Sequence, residues 1–246
     1  MTPTPWGSPP THDYYCGTPY LGDQGQTIND VITGIIFFGT RLYMQSTSNA
    51  SGEADSTALV VLNTRAVGGY KSVSEMLKPD AKMLWGNQLT FLHIPIPNLT
   101  VAESSDPLNF IWKAHQLIKR KRNSFAFHLT SMFLETLRRL RGPQAASWYV
   151  YNSFKNTSTV ISNLIGPVEK LALANHPVSG MYYTVVGSPQ DLTITMVSYM
   201  GKLWVAMAME KSFINSHKLK ACIEDAYEMV LKTAIQKSSP QGAAGN

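Results

Sequence analysis

Histidine side chains are the first candidates for chemistry in this sequence, because they can act as general bases or bind metal ions. The chain contains six: His12, His93, His115, His128, His176 and His217. No two have the spacing of a metal-ligand pair, and the sequence contains no Cys-x-x-Cys, P-loop, G-x-G-x-x-G or G-x-S-x-G motif. A lone histidine, such as His93 in a strand or His176 in a loop, is far more often a packed or surface residue than a catalyst. The spacing of the histidines and the absence of these motifs therefore do not identify a reaction.

A loop at the end of a β-rich run could also form part of a binding site. Ser162 and Asn163 close that run, and Gly166 and Pro167 follow shortly afterwards. Glycine can adopt a positive φ, and the residue before a proline avoids the helical region, so these residues favour a defined turn. Such a turn can present backbone groups and the asparagine amide to a ligand. The alternative, which the residues alone favour, is a turn that only connects two core strands.

Hydrophobic periodicity predicts the elements around this loop. Alternating β-branched runs predict three strands, in residues 157–170, 180–187 and 191–201. The dipeptide Met200-Gly201 at the end of the third run predicts a tight hairpin into a fourth strand.

Two earlier strands, at residues 58–63 and 89–94, and one earlier helix would pack into the core. Residues 89–94, which include His93, are apolar at so many positions that we expect a strand buried on both faces. A helix capped by Thr27 and continuing to Met44 is apolar on nearly every side, which is typical of a buried helix. Asp30 lies in its first turn, where the helix dipole favours a carboxylate.

Three further amphipathic helices are predicted. The first begins with Asp106 as N-cap and Pro107 as the first helical residue, the second ends before Gly142, and the third begins at about Asn215. Their apolar positions are Phe110, Ile111, Ala114 and Ile118, then Leu129, Phe133, Leu137 and Leu140, and finally Leu219, Ile223, Ala226 and Val230. Residues 73–84 favour a short additional helix. The mixture of helices and strands predicts an α/β fold built from mixed α+β layers.

Composition limits the protein to a globular class with a sizeable core. The 246 residues are 44% hydrophobic and 15% charged, with a net charge of +5. Two cysteines, Cys16 and Cys222, give no disulfide framework, so we expect a reducing compartment. The sequence shows no signal peptide and no apolar run of the length that a membrane-spanning helix needs. We expect a poorly ordered lead-in over residues 1–26, one domain over 27–235 and a disordered tail over 236–246.

A run of four cations, Lys119 to Arg122, ends the helix that begins at Pro107. Such a run could bind nucleic acid or anionic lipid headgroups. The alternative, which we favour, is a solvated helix end whose cations complement the helix dipole. No aromatic residues of the kind that stack on bases are interleaved with the run, so we expect no nucleic-acid partner.

Several short motifs, in a fixed order, resemble the C-terminal half of plant bifunctional wax ester synthase/diacylglycerol acyltransferases. They lie at residues 27–31, 85–88, 161–169, 176–178, 187–193, 198–200 and 222–231. Each motif is weak alone, but the ordered set is fairly specific and covers nearly the whole predicted domain. The matching residues that could support the fold or line a substrate tunnel are Asn29, Asp30, Gly86, Asn87, Ser162, Asn163, Gly166 and Pro167.

The resemblance implies a fold similar to CoA-dependent acyltransferases, with two α/β halves and a tunnel between them. It implies transfer of an acyl group from acyl-CoA, as co-substrate, to a long-chain alcohol or diacylglycerol, with no further cofactor. The family's general base is the second histidine of a His-His-x-x-x-Asp-Gly motif. The family resemblance also implies a location at the cytosolic face of the endoplasmic reticulum or at the plasma membrane.

This sequence contains no adjacent pair of histidines. We therefore expect a truncated form that lacks the general base and is inactive alone, with a separate N-terminal half or a homologue as partner. The alternative is a non-catalytic module that binds lipid, a membrane surface or a protein partner. The eight matching residues are equally compatible with a purely structural role.

Overall fold

The computed structural model describes residues 28–48, 52–63, 77–78 and 89–238. The helices are α1 (Ile28–Thr47), α2 (Val101–Ser105), α3 (Pro107–Arg122), α4 (Phe125–Phe154) and α5 (Ser216–Ser238). The strands are β1 (Thr57–Asn63), β2 (Leu89–Pro95), β3 (Thr159–Leu164), β4 (Ala172–Leu173), β5 (His176–Pro177), β6 (Leu192–Tyr199) and β7 (Lys202–Met209). Of the predicted helix at 73–84, only residues 77–78 are described, as a turn and a bend, and the predicted lead-in lies outside the described residues. The predicted tail begins at 236, whereas α5 continues to Ser238.

Five strands form one mixed sheet in the order β2-β1-β3-β6-β7. The three central strands are parallel, and the two edge strands pair with them in antiparallel fashion. The hairpin predicted at Met200-Gly201 joins β6 to β7, and both of its residues have positive φ, as a tight turn between twisted strands needs. The predicted α/β fold class is confirmed.

Helices α1, α3 and α5 cover one face of this sheet and form the main core with it. Every residue of α1 from Asp30 to Arg41 is buried, so the prediction of a buried helix is confirmed. The predicted apolar faces of α3 and α5 are also buried. Alternate strand residues, such as Ile161 and Ile194, point into the same cluster.

The opposite face of the sheet is covered by the end of α4 and by the segment between β5 and β6. Phe154 of α4 makes an edge-on contact with Phe91 of β2, at 4.7 Å between ring centroids. Further along the sheet, Gly180 lies against the indole ring of Trp204, where a Cβ would come within 2.2 Å of a ring atom. These contacts close the second face of the sheet without adding a strand.

Two predictions about strands are wrong, each for a different reason. Residues 180–187 form no strand, because they cross the outer face of the sheet, where Gly180 lies against Trp204 and Tyr183 bonds to Ser162. In β2 only one face is buried: Leu92 and Ile94 are buried, whereas His93 is exposed. Because β2 is an edge strand, its second face is only partly covered.

Helix α4 folds back on itself at Gly142, which has φ 84° and ψ 172°. The rings of Phe133 and Tyr149 lie 5.1 Å apart between centroids, whereas a straight helix would separate them by about 24 Å. The first segment (residues 125–141) corresponds to the predicted helix that ends before Gly142. The second segment (residues 143–154) was not predicted, because its sequence follows a Gly-Pro pair that usually ends a helix.

A buried arginine ties α1 to the loops beside it. The guanidinium of Arg41 is almost fully buried and donates to the carbonyl oxygens of Pro97, Ile96 and Ala54 at 2.8, 2.6 and 2.7 Å. Burial lowers the pKa of Arg41, and the nearby Asp55 carboxylate opposes that shift. Backbone carbonyls thus replace the water that this cation loses.

None of the described helices is long and apolar enough to cross a lipid bilayer.

The close contact between α1 and α5 predicts a specific effect on stability. A Cβ at Gly39 would come 2.7 Å from the Cα of Ile223, so we expect Gly39→Ala to lower the free energy of unfolding by about 2 kcal/mol. At Gly34 the nearest atom is Cδ1 of Ile111, at 3.1 Å, so a shift of a few tenths of an ångström in that side chain would accommodate the new methyl group. Gly34→Ala should therefore change stability by less than about 1 kcal/mol. Urea unfolding of the two variants tests this, and equal effects would contradict it.

Candidate functional site

Two of the predicted site residues, far apart in sequence, are joined by a direct hydrogen bond. The Asn163 side chain near the end of β3 donates through Nδ2 to Oδ1 of Asn29 at the start of α1, at 2.9 Å. Both residues are partly buried. We call this place the α1–β3 junction and define it by Asn29, Asp30, Ser162, Asn163 and Gly166. It lies at the edge where the parallel strand β3 ends, which is where α/β sheets commonly bind ligands.

Asp30 holds the start of α1 in place. Its side chain is fully buried, and Oδ2 lies 3.1 Å from Nδ1 of His115 on α3. Its other oxygen lies 3.7 Å from Nη1 of Arg122, at the end of α3. The carboxylate also occupies the first helical turn, where the macrodipole favours a negative charge. Asp30 therefore connects α1 to two positions on α3.

Sequence reasoning missed both partners of Asp30. His115 follows Ile111 by four residues and precedes Ile118 by three, so it shares the apolar side of α3, and that position was a usable signal. Arg122 was predicted to be part of a solvated helix end. Lys119, Arg120 and Lys121 are indeed exposed, but Arg122 reaches the buried carboxylate.

The Asp30–His115 pair resembles half of a catalytic triad, because a carboxylate orients an imidazole. However, the His115 side chain is only 1% exposed, and its Nε2 atom is enclosed and has no hydrogen-bond partner among the described residues. The Trp112 ring stacks on the imidazole, with centroids 5.4 Å apart. A substrate hydroxyl cannot reach Nε2 in this arrangement, so the pair positions α1 and does not act as a base.

Ser162 is held from the outer face of the sheet by Tyr183. The Tyr183 hydroxyl donates to the carbonyl oxygen of Ser162 at 3.0 Å and lies 2.9 Å from its Oγ. Burial raises the pKa of the Tyr183 phenol, and its hydrogen bond to Ser162 opposes that shift. Thr195 Oγ1 in turn donates to the carbonyl oxygen of Tyr183. The segment before β6 is thereby fastened to the end of β3.

The loop after β3 passes so close to β6 that only glycine fits. A Cβ at Gly166 would come 2.0 Å from the carbonyl oxygen of Ser198, and the Gly166 amide donates to Ser198 Oγ at 3.2 Å. The carbonyl oxygen of Pro167 then accepts from the amide of Met200, at 3.5 Å. Gly166 does not adopt the positive φ that we considered, so close backbone approach is the physical reason for this glycine.

Exposed apolar side chains follow the junction along the chain. Leu164, Ile165 and Val168 are 51%, 73% and 61% exposed. We call these three side chains, which follow Asn163 in the sequence, the lip. Such a lip suits a ligand with a hydrocarbon part and a polar end.

The remaining candidate residues lie elsewhere. Gly86 and Asn87 fall outside the described residues. His93 is exposed, with Nε2 at 3.2 Å from the carbonyl oxygen of Ser153, and His176 is exposed in β5. Across the described ranges, no three His, Cys, Asp or Glu side chains are grouped in a way that could hold a metal ion.

An open cleft of 710 Å³ lies between the two segments of α4 and residues 185–189. It is lined mainly by apolar side chains, among them Leu134, Val150 and Phe154, with Glu135 and Arg138 at its edge. None of the predicted site residues that the structure describes lines this cleft, and none of the residues that define the junction does.

Comparisons with known proteins agree on one group. The family model of the WS/DGAT C-terminal domain matches residues 85–230. Wax ester synthase/diacylglycerol acyltransferases 9 and 5 of Arabidopsis thaliana are each 28% identical over 87% of this chain, which is 47% and 44% of those proteins. The wax ester synthase/diacylglycerol acyltransferase from Marinobacter aquaeolei VT8 has the same fold, with a TM-score of 0.55 at 17% identity, over 88% of this chain and 46% of that chain. The chain spans about half the length of the curated relatives it matches.

The buried pair predicts strong energetic coupling between α1 and α3. Asp30→Ala should lower the free energy of unfolding by about 3 kcal/mol, because His115 loses its carboxylate in a buried site. In the Asp30→Ala, His115→Leu double variant we expect about 2 kcal/mol less destabilisation than the sum of the two single effects. Lys237→Ala, which removes a partly exposed pair with Asp106 and leaves the N-cap residue of α3 in place, is the control and should cost less than about 1 kcal/mol. Additive effects at Asp30 and His115 in urea unfolding would contradict the coupling.

Proposed function

Because the chain belongs to the wax ester synthase/diacylglycerol acyltransferase family, we propose that it forms the C-terminal domain of an acyl-CoA-dependent O-acyltransferase. The acceptor is a long-chain alcohol, which gives a wax ester, or diacylglycerol, which gives triacylglycerol. The match of residues 85–230 to the family's C-terminal domain is the observation that carries this proposal. The reaction takes place at the cytosolic face of the endoplasmic reticulum or at the plasma membrane, the location that the family resemblance implies.

In the proposed reaction, the acceptor hydroxyl oxygen attacks the thioester carbonyl carbon of acyl-CoA. The new C–O bond forms, the C–S bond breaks, the hydroxyl proton goes to a general base, and the CoA thiolate leaves and takes up a proton. We assign the base to an adjacent histidine pair, which this sequence does not contain. The enclosed position of His115 supports this assignment, because it keeps the one carboxylate-held imidazole among the described residues away from any acceptor.

The role of this chain is then to bind and orient the substrates. In this proposal, the lip of Leu164, Ile165 and Val168 contacts a hydrocarbon chain, and the Asn29–Asn163 amide pair contacts its polar end. The exposure of the lip and the hydrogen bond between the two amides support this assignment. Asp30 and His115 act as positioning residues, because they fix the start of α1 and with it Asn29. Ser162, Gly166 and Pro167 hold the loop that carries the lip.

A non-catalytic interaction module is the second candidate. The same lip favours it, because an exposed apolar group at a loop can also contact a protein. The two candidates differ in one measurable property, which is whether the chain contributes to acyl transfer.

An acyl-transfer assay tests the proposal. The purified chain is given labelled palmitoyl-CoA with hexadecanol or diacylglycerol, with and without a separately expressed N-terminal half of a relative that carries the histidine pair. We expect no ester from the chain alone, because it lacks the base, and ester when both halves are present. The intact relative serves as the positive control.

Each other outcome has a definite meaning. Ester formed by the chain alone would contradict the assignment of the base. No ester in either condition, while the intact relative is active, would contradict the acyltransferase proposal and favour the interaction module.

A further inference from the structure

Strand β7 has one side of its backbone without a neighbouring strand. It forms an edge of the sheet and pairs only with β6 among the described strands. In antiparallel pairing, successive residues direct their N–H and C=O groups alternately toward the neighbouring strand and away from it. The amide of Glu210, directly after β7, donates to the carbonyl oxygen of Asp191, directly before β6, at 2.8 Å. The even-numbered residues of β7 are in phase with Glu210 and therefore bond to β6.

The odd-numbered residues of β7 direct their backbone groups away from the sheet. They are Leu203, Val205, Met207 and Met209, so each contributes one free N–H and one free C=O group to the edge. None of these groups forms a hydrogen bond within the part of the chain that the structure describes. The outer edge of β7 is therefore a row of donors and acceptors that an extended chain could pair with.

This edge lacks the features that usually prevent pairing with another chain, such as a proline, a charge or a bulge. The opposite edge, β2, ends at Pro95, and Ser153 and Phe154 of α4 lie against it. Between Lys202 and Glu210, in contrast, β7 contains only apolar residues and no proline. Its register with β6 runs from end to end without a bulge. A strand of this length and composition is suited to pair on its second side.

The free edge of β7 is complementary to itself in antiparallel orientation. When Leu203 lies opposite Met209 of a second copy, Val205 lies opposite Met207, and every free N–H and C=O group of both strands pairs. Ala206 then lies opposite Ala206 of the second copy, on a two-fold axis. No other antiparallel register uses all four outward-directed residues of each strand.

The same register brings opposite charges together at both ends of the paired strands. Lys202 precedes the first outward-directed residue and Glu210 follows the last, so Lys202 of each copy lies opposite Glu210 of the other. Both residues are exposed, and neither forms an ion pair across the described ranges. Because the hydrogen-bonding pattern alone selects this register, the charge match is an independent observation in its favour.

We propose that β7 pairs with β7 of a second copy of this chain and joins the two sheets into one. The paired strands are antiparallel, Ala206 lies at the two-fold axis, and Lys202–Glu210 pairs lie at both ends. Val205 and Met207, which pack against the core of each copy, meet on the same side of the continuous sheet. The inference goes beyond the proposed function and does not depend on it, because the oligomeric state is measured without acyl transfer.

Light scattering during size-exclusion chromatography of the full chain tests the charge match. We expect a wild-type dimer. Lys202→Glu should weaken it about tenfold or more, because two carboxylates then lie opposite each other at both ends, and Glu210→Lys should have a similar effect. An equimolar mixture of the two variants should restore the dimer, since each end then pairs a carboxylate with an ammonium group. Lys232→Glu, the same charge change at an exposed position of α5, is the control and should leave the dimer intact.

Disulfide crosslinking tests the register, in a Cys16→Ser, Cys222→Ser background. Ala206→Cys should form a disulfide between two copies, because residues of a non-hydrogen-bonded antiparallel pair have Cα atoms about 4.5 Å apart, within the range of a disulfide. Ala208→Cys is the matched control and should not crosslink, because the two copies of that position would lie about 14 Å apart along the strands. Far-ultraviolet circular dichroism confirms that each variant is folded.

Three results would overturn the proposal. The first is a wild-type chain that remains a monomer, including one that binds a separately expressed N-terminal half of a relative instead. The second is a dimer that Lys202→Glu and Lys232→Glu affect equally. The third is a dimer that crosslinks through Ala208→Cys and not through Ala206→Cys, which would assign the contact to another register or another surface.

Discussion

A single buried carboxylate sets the geometry on which the candidate site depends. Asp30 is fully buried and is held by His115 at 3.1 Å and by Arg122 at 3.7 Å. These contacts fix the first turn of α1 against α3, and the next residue back, Asn29, is thereby brought to Asn163 at the end of β3. Without this anchor, the entry of α1 would be free to move, and the amide pair at the sheet edge would have no fixed partner.

The two faces of the sheet have different functions around that anchor. Three helices on one face form the core that carries most of the apolar burial. On the other face, Tyr183 and Thr195 fasten an irregular segment to β3 and β6 by hydrogen bonds. The loop after β3 is held by the close approach of Gly166 to Ser198 of β6, and its apolar side chains are exposed. The sheet and its helices therefore hold a loop whose apolar side chains, Leu164, Ile165 and Val168, are exposed to solvent.

The sequence predicted correctly those features of the fold that depend on neighbouring residues in the chain. The burial of α1, the apolar sides of α3 and α5, and the turn at Met200-Gly201 all follow from periodicity and turn chemistry. Contacts between distant residues could not be read in this way: Asp30 and His115 are 85 positions apart, and nothing in the run Lys119 to Arg122 shows that its last member reaches a buried acid. Asn29 was selected only because of the family resemblance, whereas Asn163 was also a candidate from its place in the loop that ends a β-rich run.

The errors have the same origin. Residues 180–187 have the composition of a strand, but the contacts of Gly180 with Trp204 and of Tyr183 with Ser162 hold them as an irregular segment on the outer face of the sheet. The second segment of α4 forms although Gly142 and Pro143 interrupt the helix. Its Tyr149 and Phe154 rings pack on Phe133 and Phe91, and these contacts stabilise the helical conformation. In both cases, tertiary packing outweighs local propensity.

The central claim is that the acceptor chain meets this domain at the α1–β3 junction. Photo-crosslinking with a diazirine-bearing hexadecanol, in the presence of the complementary half, tests it most directly when labelled peptides are identified by mass spectrometry. We predict labels on the lip, at Leu164, Ile165 and Val168. Labels confined to the separate cleft between α4 and residues 185–189 would contradict the claim.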